Sequence, residues 1–128
     1  MVSIGSTGKI RLLYVWCRKD VMMSGNSVTI KSKFTGETLA SAEKRDGVRL
    51  FEGAWYFQPD KVDMSNLVVT ERTYTCPYKG ICYWIDFQTA EHQAEDVAFV
   101  YFRVNPGYEF VKDQIGFYAG IHDATVEE

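Results

Sequence analysis

A cysteine and a lysine stand three residues apart in the segment Thr-Cys-Pro-Tyr-Lys-Gly, residues 75–80 of this 128-residue sequence. Cys76 is a candidate nucleophile, because a nearby ammonium lowers the pKa of a thiol and a turn exposes its sulfur. Lys79 is a candidate anion-binding residue, since a cation beside the turn amides of Lys79 and Gly80 makes a small oxyanion or phosphate pocket. Glu52 adjoins an apolar run that could raise its pKa and make it an acid or base. We therefore predict Cys76, Lys79 and Glu52 as catalytic residues.

Each of these residues also has a structural interpretation, which the sequence leaves open. A free cysteine is often simply part of a core, and no histidine is placed in the sequence to act as a base for Cys76. Lys79 and Glu52 could instead form an ion pair, with Arg45 as a second partner for the carboxylate, because buried charges need partners. Gly80 would then serve the backbone geometry of the turn.

Aromatic residues make up 15% of the chain, which favours strands and an aromatic-lined core or cavity. Five of them lie in strand-like runs near the cysteine and lysine, and with Lys79 and Gly80 they form the predicted ligand-binding set: Trp55, Tyr56, Tyr83, Trp84 and Tyr101. Filling the core is the commoner role of aromatic side chains in strands, so both roles stay open for them.

Short runs of alternating apolar and polar residues, separated by turn signals, predict a mainly β protein. The predicted strands are 27–34, 37–41, 48–52, 55–57, 67–74, 81–87, 97–104 and 115–118. One short helix is predicted after Pro59 and another after Gly107. We expect residues 89–96 to form an exposed loop, because they are polar and acidic, and residues 122–128 to form a frayed acidic tail.

Composition argues against several kinds of partner. The net charge is −3, so no broad basic face is expected for nucleic acid. The longest apolar run near the start is too short to span a membrane, and three cysteines without a Cys-x-x-Cys pair argue against a disulfide framework or a thiolate zinc site. We expect a cytoplasmic protein with reduced thiols and with neither metal nor cofactor.

Two stretches of the sequence resemble the signature of a bacterial family, domain of unknown function 427. The first is Thr-Cys-Pro-Tyr-Lys-Gly followed by Tyr83 and Trp84, and the second is Glu-Gly-Ala-Trp-Tyr-Phe-Gln-Pro-Asp-Lys-Val at 52–62. Residues 98–101 and 115–118 stand where the C-terminal strand motifs of the family fall. The resemblance covers roughly residues 28–121. The chain departs from the pattern at Phe99, where a tryptophan is usual, and at Asp113, where a glycine is usual.

The resemblance implies a β-tent-like domain, in which two antiparallel sheets splay apart over a pocket. Zinc-binding relatives of that shape carry paired Cys-x-x-Cys motifs, which this chain lacks. The family is sometimes labelled nucleotidyltransferase-like. That chemistry needs a Gly-Ser followed by spaced carboxylates for two metals, and no such carboxylates follow Gly5 and Ser6.

The predicted organisation is one β-tent-like domain at 28–121, with one or two short helices, preceded by an N-terminal extension at 1–27 and followed by the tail at 122–128. Residues 10–23 fit both a strand and a helix, so the type of this added element stays undecided. Two functions compete. One is a pocket that binds, or also transforms, a small polar or anionic ligand at the Cys-Pro-Tyr-Lys-Gly loop. The other is a non-catalytic interaction scaffold that presents an apolar N-terminal surface to a protein partner: Leu12, Tyr14, Trp16 and Met23.

Overall fold

A computed structural model describes residues 27–128 of the chain. The predicted N-terminal element and the proposed partner surface at Leu12, Tyr14, Trp16 and Met23 lie outside the described residues, so both stay predictions.

The prediction of a mainly β protein is confirmed. Residues 27–128 form nine strands: β1 (Ser27–Ser32), β2 (Thr38–Glu43), β3 (Val48–Phe51), β4 (Ala54–Phe57), β5 (Leu67–Cys76), β6 (Gly80–Gln88), β7 (Gln93–Val104), β8 (Ile115–Tyr118) and β9 (Thr125–Glu127). The two predicted helices are single 3₁₀ turns, Pro59–Lys61 and Glu109–Val111. Every strand pairing is antiparallel, in a three-stranded sheet of order β9-β1-β2 and a six-stranded sheet of order β3-β4-β8-β7-β6-β5.

The six-stranded sheet is buried on both faces near its centre, and strand alternation decides which residue belongs to which face. Trp55 and Phe57 of β4 belong to the core shared with the small sheet, whose contributors include Ile30. We call this side the inner face. Tyr56 of β4 belongs to a separate cluster that contains no residue of the small sheet, and we call that side the outer face. The space between the sheets is thus filled by apolar side chains.

Two local predictions were wrong. Residues 93–96, expected in an exposed loop, form the start of β7, where Arg72 bridges Asp86 and Asp96 across the neighbouring strands. The tail, expected to be frayed, instead forms β9 against β1, with Thr125 buried. The tail is ordered because Thr125 and its neighbour Ala124 are buried on folding, a long-range effect that acidic composition does not reveal.

Candidate functional site

Glu52 occupies a two-residue turn that joins β3 to β4. Phe51 pairs with Ala54, and the two residues between them, Glu52 and Gly53, have φ values of 52° and 79°. Two positive φ values in a two-residue loop are the pattern of a type I′ hairpin, whose twist matches that of the strands. Glycine, asparagine or aspartate usually takes the first position, so glutamate stands there at a conformational cost. The turn places the Glu52 carboxylate at the rim of the outer face.

The second turn, between β5 and β6, contains the cysteine and the lysine. The Cys76 thiol is buried, and its Sγ accepts a hydrogen bond from the backbone N–H of Lys79 at 3.4 Å. Asn105 holds the loop from the other side, through its side-chain bond to the carbonyl oxygen of Tyr78 at 2.9 Å and its backbone bond to that of Lys79 at 2.8 Å. Gly80 has a φ of 129°, and a side chain there would collide with the carbonyl oxygen of Arg103. The loop is therefore fixed at both ends.

Lys79 and Glu52, 27 residues apart in sequence, form an ion pair between these two turns. The Lys79 side chain is 12% exposed, whereas that of Glu52 is 54% exposed. The Lys79 ammonium also lies 5.8 Å from the ring centroids of Phe51 and Tyr101. The lysine is thus held in place and shielded, while the glutamate stays free to turn toward water.

A cavity of about 160 Å³ opens beside this ion pair on the outer face. Its wall consists of two charged residues from the turns and, from strands β4 to β8, one alanine, one cysteine and six aromatic residues: Glu52, Ala54, Tyr56, Tyr74, Lys79, Cys82, Trp84, Phe99, Tyr101 and Tyr118. Phe99 lies at the centre of the aromatic group, with its ring centroid 5.5 to 6.2 Å from those of four neighbours: Tyr56, Trp84, Tyr101 and Tyr118. This cavity combines one shielded cation with apolar ring faces.

The hydroxyls of Tyr56, Tyr101 and Tyr118 in the wall stay protonated. Burial, followed by the nearby Glu52 carboxylate, raises the pKa of Tyr56 well above its ordinary value, and burial also raises the pKa of Tyr101 and that of Tyr118. Among the hydrogen bonds formed within residues 27–128, none involves the hydroxyl of Tyr56 or Tyr118. Both side chains line the cavity, so their hydroxyls are candidate donors to an acceptor there.

The two buried cysteines differ. Burial raises the pKa of Cys76, but the backbone N–H groups of Lys79 and Tyr78 and the Lys79 charge outweigh burial, so that the pKa is lowered overall. Burial raises the pKa of Cys82, and the amide of Tyr74 offsets this only in part. Cys76, whose pKa is lowered, thus lies beneath the loop, whereas Cys82, whose pKa is raised, lines the cavity.

The structure brings together five of the predicted site residues and separates the others. Glu52, Lys79, Tyr56, Trp84 and Tyr101 line one cavity, and Gly80 shapes its loop. Cys76 packs in the outer-face cluster without lining the cavity. Trp55 faces the inner core, and Tyr83 packs against that core and against Phe102. The catalytic and binding assignments stay predictions.

Sequence reasoning missed several residues of the wall: Ala54, Tyr74, Cys82, Phe99 and Tyr118. Strand alternation could have found Cys82, which shares a face of β6 with Trp84. Tyr118 carried no such signal, because its place depends on β8 pairing with β4, far away in sequence.

Within residues 27–128, no group of three or more His, Cys, Asp or Glu side chains is arranged to hold a metal ion. The same residues contain no helix long and apolar enough to cross a membrane.

The family model described as domain of unknown function (DUF427) matches residues 21–128. The chain belongs to this family. The match extends past the expected stretch of 28–121 at both ends and includes β9. The segments Glu-Gly-Ala-Trp-Tyr-Phe and Cys-Pro-Tyr-Lys-Gly lie within the match and contain the two turns that carry the Glu52–Lys79 ion pair. No curated protein matches the chain.

Proposed function

We propose that the protein binds a small organic anion in the cavity beside the Cys-Pro-Tyr-Lys-Gly loop. The observation that carries this proposal is the Lys79 ammonium, which is shielded from solvent at one end of an aromatic-walled cavity. The hydroxyls of Tyr56 and Tyr118 add two donors to the same wall. An anionic oxygen can accept hydrogen bonds from all three groups, while the ring faces contact an apolar body.

The volume limits the ligand. A cavity of about 160 Å³ is smaller than the ~300 Å³ at which pockets for drug-sized molecules begin. The proposed ligand is therefore a single small carboxylate or similar oxyanion rather than a nucleotide.

Within the chain itself, the Glu52 carboxylate competes with an anionic ligand for the Lys79 ammonium. Glu52 occupies the Lys79 ammonium, but its carboxylate is 54% exposed and can be rehydrated when a ligand displaces it. We assign binding and no reaction, because Cys76 does not line the cavity and no histidine of the described residues does.

The test uses the full-length chain and benzoate, an apolar ring that carries one carboxylate. We expect benzoate to shift the backbone amide NMR signals of Gly80, Cys82 and Tyr118, and acetate to bind more weakly because it has no ring. Lys79→Met keeps the packing of the stem and removes the charge, so it should weaken benzoate binding by roughly tenfold or more. Glu52→Gln should strengthen binding, because it removes the internal competitor.

Lys33→Met is the matched control, since Lys33 is exposed in the hairpin of the small sheet. It should leave benzoate binding unchanged. Thermal unfolding checks that Lys79→Met costs no more than about 1 kcal/mol, as expected for an ion pair with one exposed partner. Equal benzoate affinity in the wild type and Lys79→Met, or signal shifts that avoid the cavity, would refute the proposal. A loss near ~3 kcal/mol would instead assign Lys79 to stability.

A further inference from the structure

A second and larger concavity, of about 510 Å³, lies along the edge strand β3 of the six-stranded sheet. Its wall includes three cationic residues, two amides and one indole: Lys44, Arg45, Arg49, Gln58, Gln114 and Trp55. Trp55 belongs to the inner face, whereas its neighbour Tyr56 lines the outer cavity. The two sites share no wall residue.

The charge of this groove is opposite to that of the whole chain. The chain has a net charge of −3, yet no aspartate or glutamate of the described residues is in the groove wall. Lys44, Arg45 and Arg49 form no ion pair with any carboxylate of residues 27–128. The Glu127 carboxylate, which borders Trp55, accepts a hydrogen bond from the indole Nε1 at 3.0 Å. The wall thus carries three cations without an ion-pair partner among residues 27–128, although Glu43, Asp46 and Glu127 lie next to it.

Backbone geometry and aromatic rings hold these cations in place. Arg45 has a φ of 69° and Gly47 a φ of 97°, which turn the chain sharply between β2 and β3. The carbonyl oxygen of Gly47 accepts a hydrogen bond from the backbone N–H of Gln58 at 2.8 Å, which ties the turn to the end of β4. The Lys44 ammonium lies 5.8 Å from the Trp55 ring centroid. Cation–ring contacts, in place of carboxylates, leave the charge available to a ligand.

Two further contacts involve cationic side chains in or beside the groove wall. The Arg49 guanidinium carbon lies 4.9 Å from the Phe110 ring centroid, at the edge of the sheet. The aliphatic stem of Lys61 packs against Gly47 of the groove wall, with its Cδ 3.4 Å from where a β-carbon of that glycine would stand. The absence of a side chain at Gly47 makes room for this stem.

We propose that this groove is a separate binding site for a small organic molecule that carries two or more phosphate-type negative charges. Several cations without a carboxylate in the wall favour a multiply charged anion, since each anionic oxygen can accept hydrogen bonds from guanidinium, ammonium or amide groups. The volume is within the ~300–1,000 Å³ typical of small-molecule sites. Trp55 and Val48 supply an apolar wall for the organic part. The net negative charge of the chain disfavours an extended nucleic acid as the ligand.

The experiment is a calorimetric titration of the full-length chain with pyrophosphate at low ionic strength. We expect saturable binding that weakens as salt is added, because the contacts are partly exposed to solvent. The double variant Lys44→Gln/Arg45→Gln should weaken pyrophosphate binding by roughly tenfold or more, the effect of losing one or two charge-assisted hydrogen bonds. Both side chains are exposed, so the thermal midpoint should stay close to that of the wild type.

Two control variants distinguish binding in this groove from binding at exposed cations elsewhere and from binding in the outer cavity. Arg103→Gln removes an exposed arginine of β7 outside the groove and should bind pyrophosphate as the wild type does. Lys79→Met tests the outer cavity: a loss of pyrophosphate binding in this variant with none in the double variant would place the anion in the outer cavity and overturn the inference. Absence of pyrophosphate binding, or tighter binding of a short oligothymidylate, would equally overturn it.

Discussion

Gly116 of β8 is the position where one methyl group should most directly disturb the outer cavity. Gly116 pairs with Phe99 across β7 and β8, and the Phe99 ring lies over the space that a side chain would fill. A β-carbon at Gly116 would stand 2.7 Å from Cζ and 3.0 Å from Cδ2 of that ring. The ring would have to retreat by about 1 Å to restore ordinary carbon–carbon contact. Since Phe99 lines the cavity and is ringed by four aromatic side chains, this displacement disturbs the wall of the binding site.

Overpacking of this kind costs about 1–3 kcal/mol, and replacing glycine by alanine returns up to about 1 kcal/mol by restricting the unfolded chain. We therefore expect Gly116→Ala to lower the free energy of unfolding by about 1–2 kcal/mol and to weaken benzoate binding. Phe99→Leu shortens the side chain, so the double variant Gly116→Ala/Phe99→Leu should lose less stability than the two single variants together, by about 1 kcal/mol.

Urea unfolding of the four proteins measures this coupling, and benzoate titration of the same samples measures the effect on the cavity. Additive losses would show that the methyl group does not meet the Phe99 ring. A Gly116→Ala protein as stable as the wild type would refute the steric argument altogether.

Three further predictions concern the loop and its surroundings. Gly80→Ala should cost about 2–4 kcal/mol in urea unfolding, because φ is 129° and the new β-carbon would stand 3.1 Å from Cα of Val104; an unchanged midpoint would contradict this. In a Cys17→Ser background, iodoacetamide should modify Cys76 at lower pH than Cys82, because the pKa of Cys76 is lowered and that of Cys82 is raised. Peptide mass spectrometry measures the modification of both cysteines. Modification of Cys82 before Cys76 would contradict the prediction. Because burial raises the pKa of Tyr56 in the folded state, the stability that its protonated hydroxyl contributes should be fully present below about pH 10 and should fall as the pH rises above 10. The thermal midpoint of Tyr56→Phe should therefore decline less steeply at alkaline pH than that of the wild type. An identical decline would count against the burial of Tyr56.

Local sequence was enough to predict most strands. Residues such as those of β1 alternate apolar and polar side chains, and this period of two indicates a half-buried strand without knowledge of its partner. The Cys-Pro-Tyr-Lys-Gly and Glu-Gly-Ala-Trp-Tyr-Phe segments were enough for family membership, which the matching family model confirms. The ion pair of Lys79 with Glu52 was one of the open alternatives, because few charges near an apolar run could serve as partners.

Tertiary structure decided which face each aromatic side chain occupies and which strands meet. Trp55 and Tyr56 are adjacent in sequence, yet one faces the inner core beside the basic groove and the other lines the outer cavity, because successive residues of a strand point to opposite faces. Tyr118 reaches Phe99 only because β8 pairs with both β4 and β7. The tail becomes β9 because Thr125 finds burial against β1, more than ninety residues earlier in the chain. Pairing between distant strands depends on contacts that no local window of sequence contains, which is why composition alone predicted a frayed end where the fold has an edge strand.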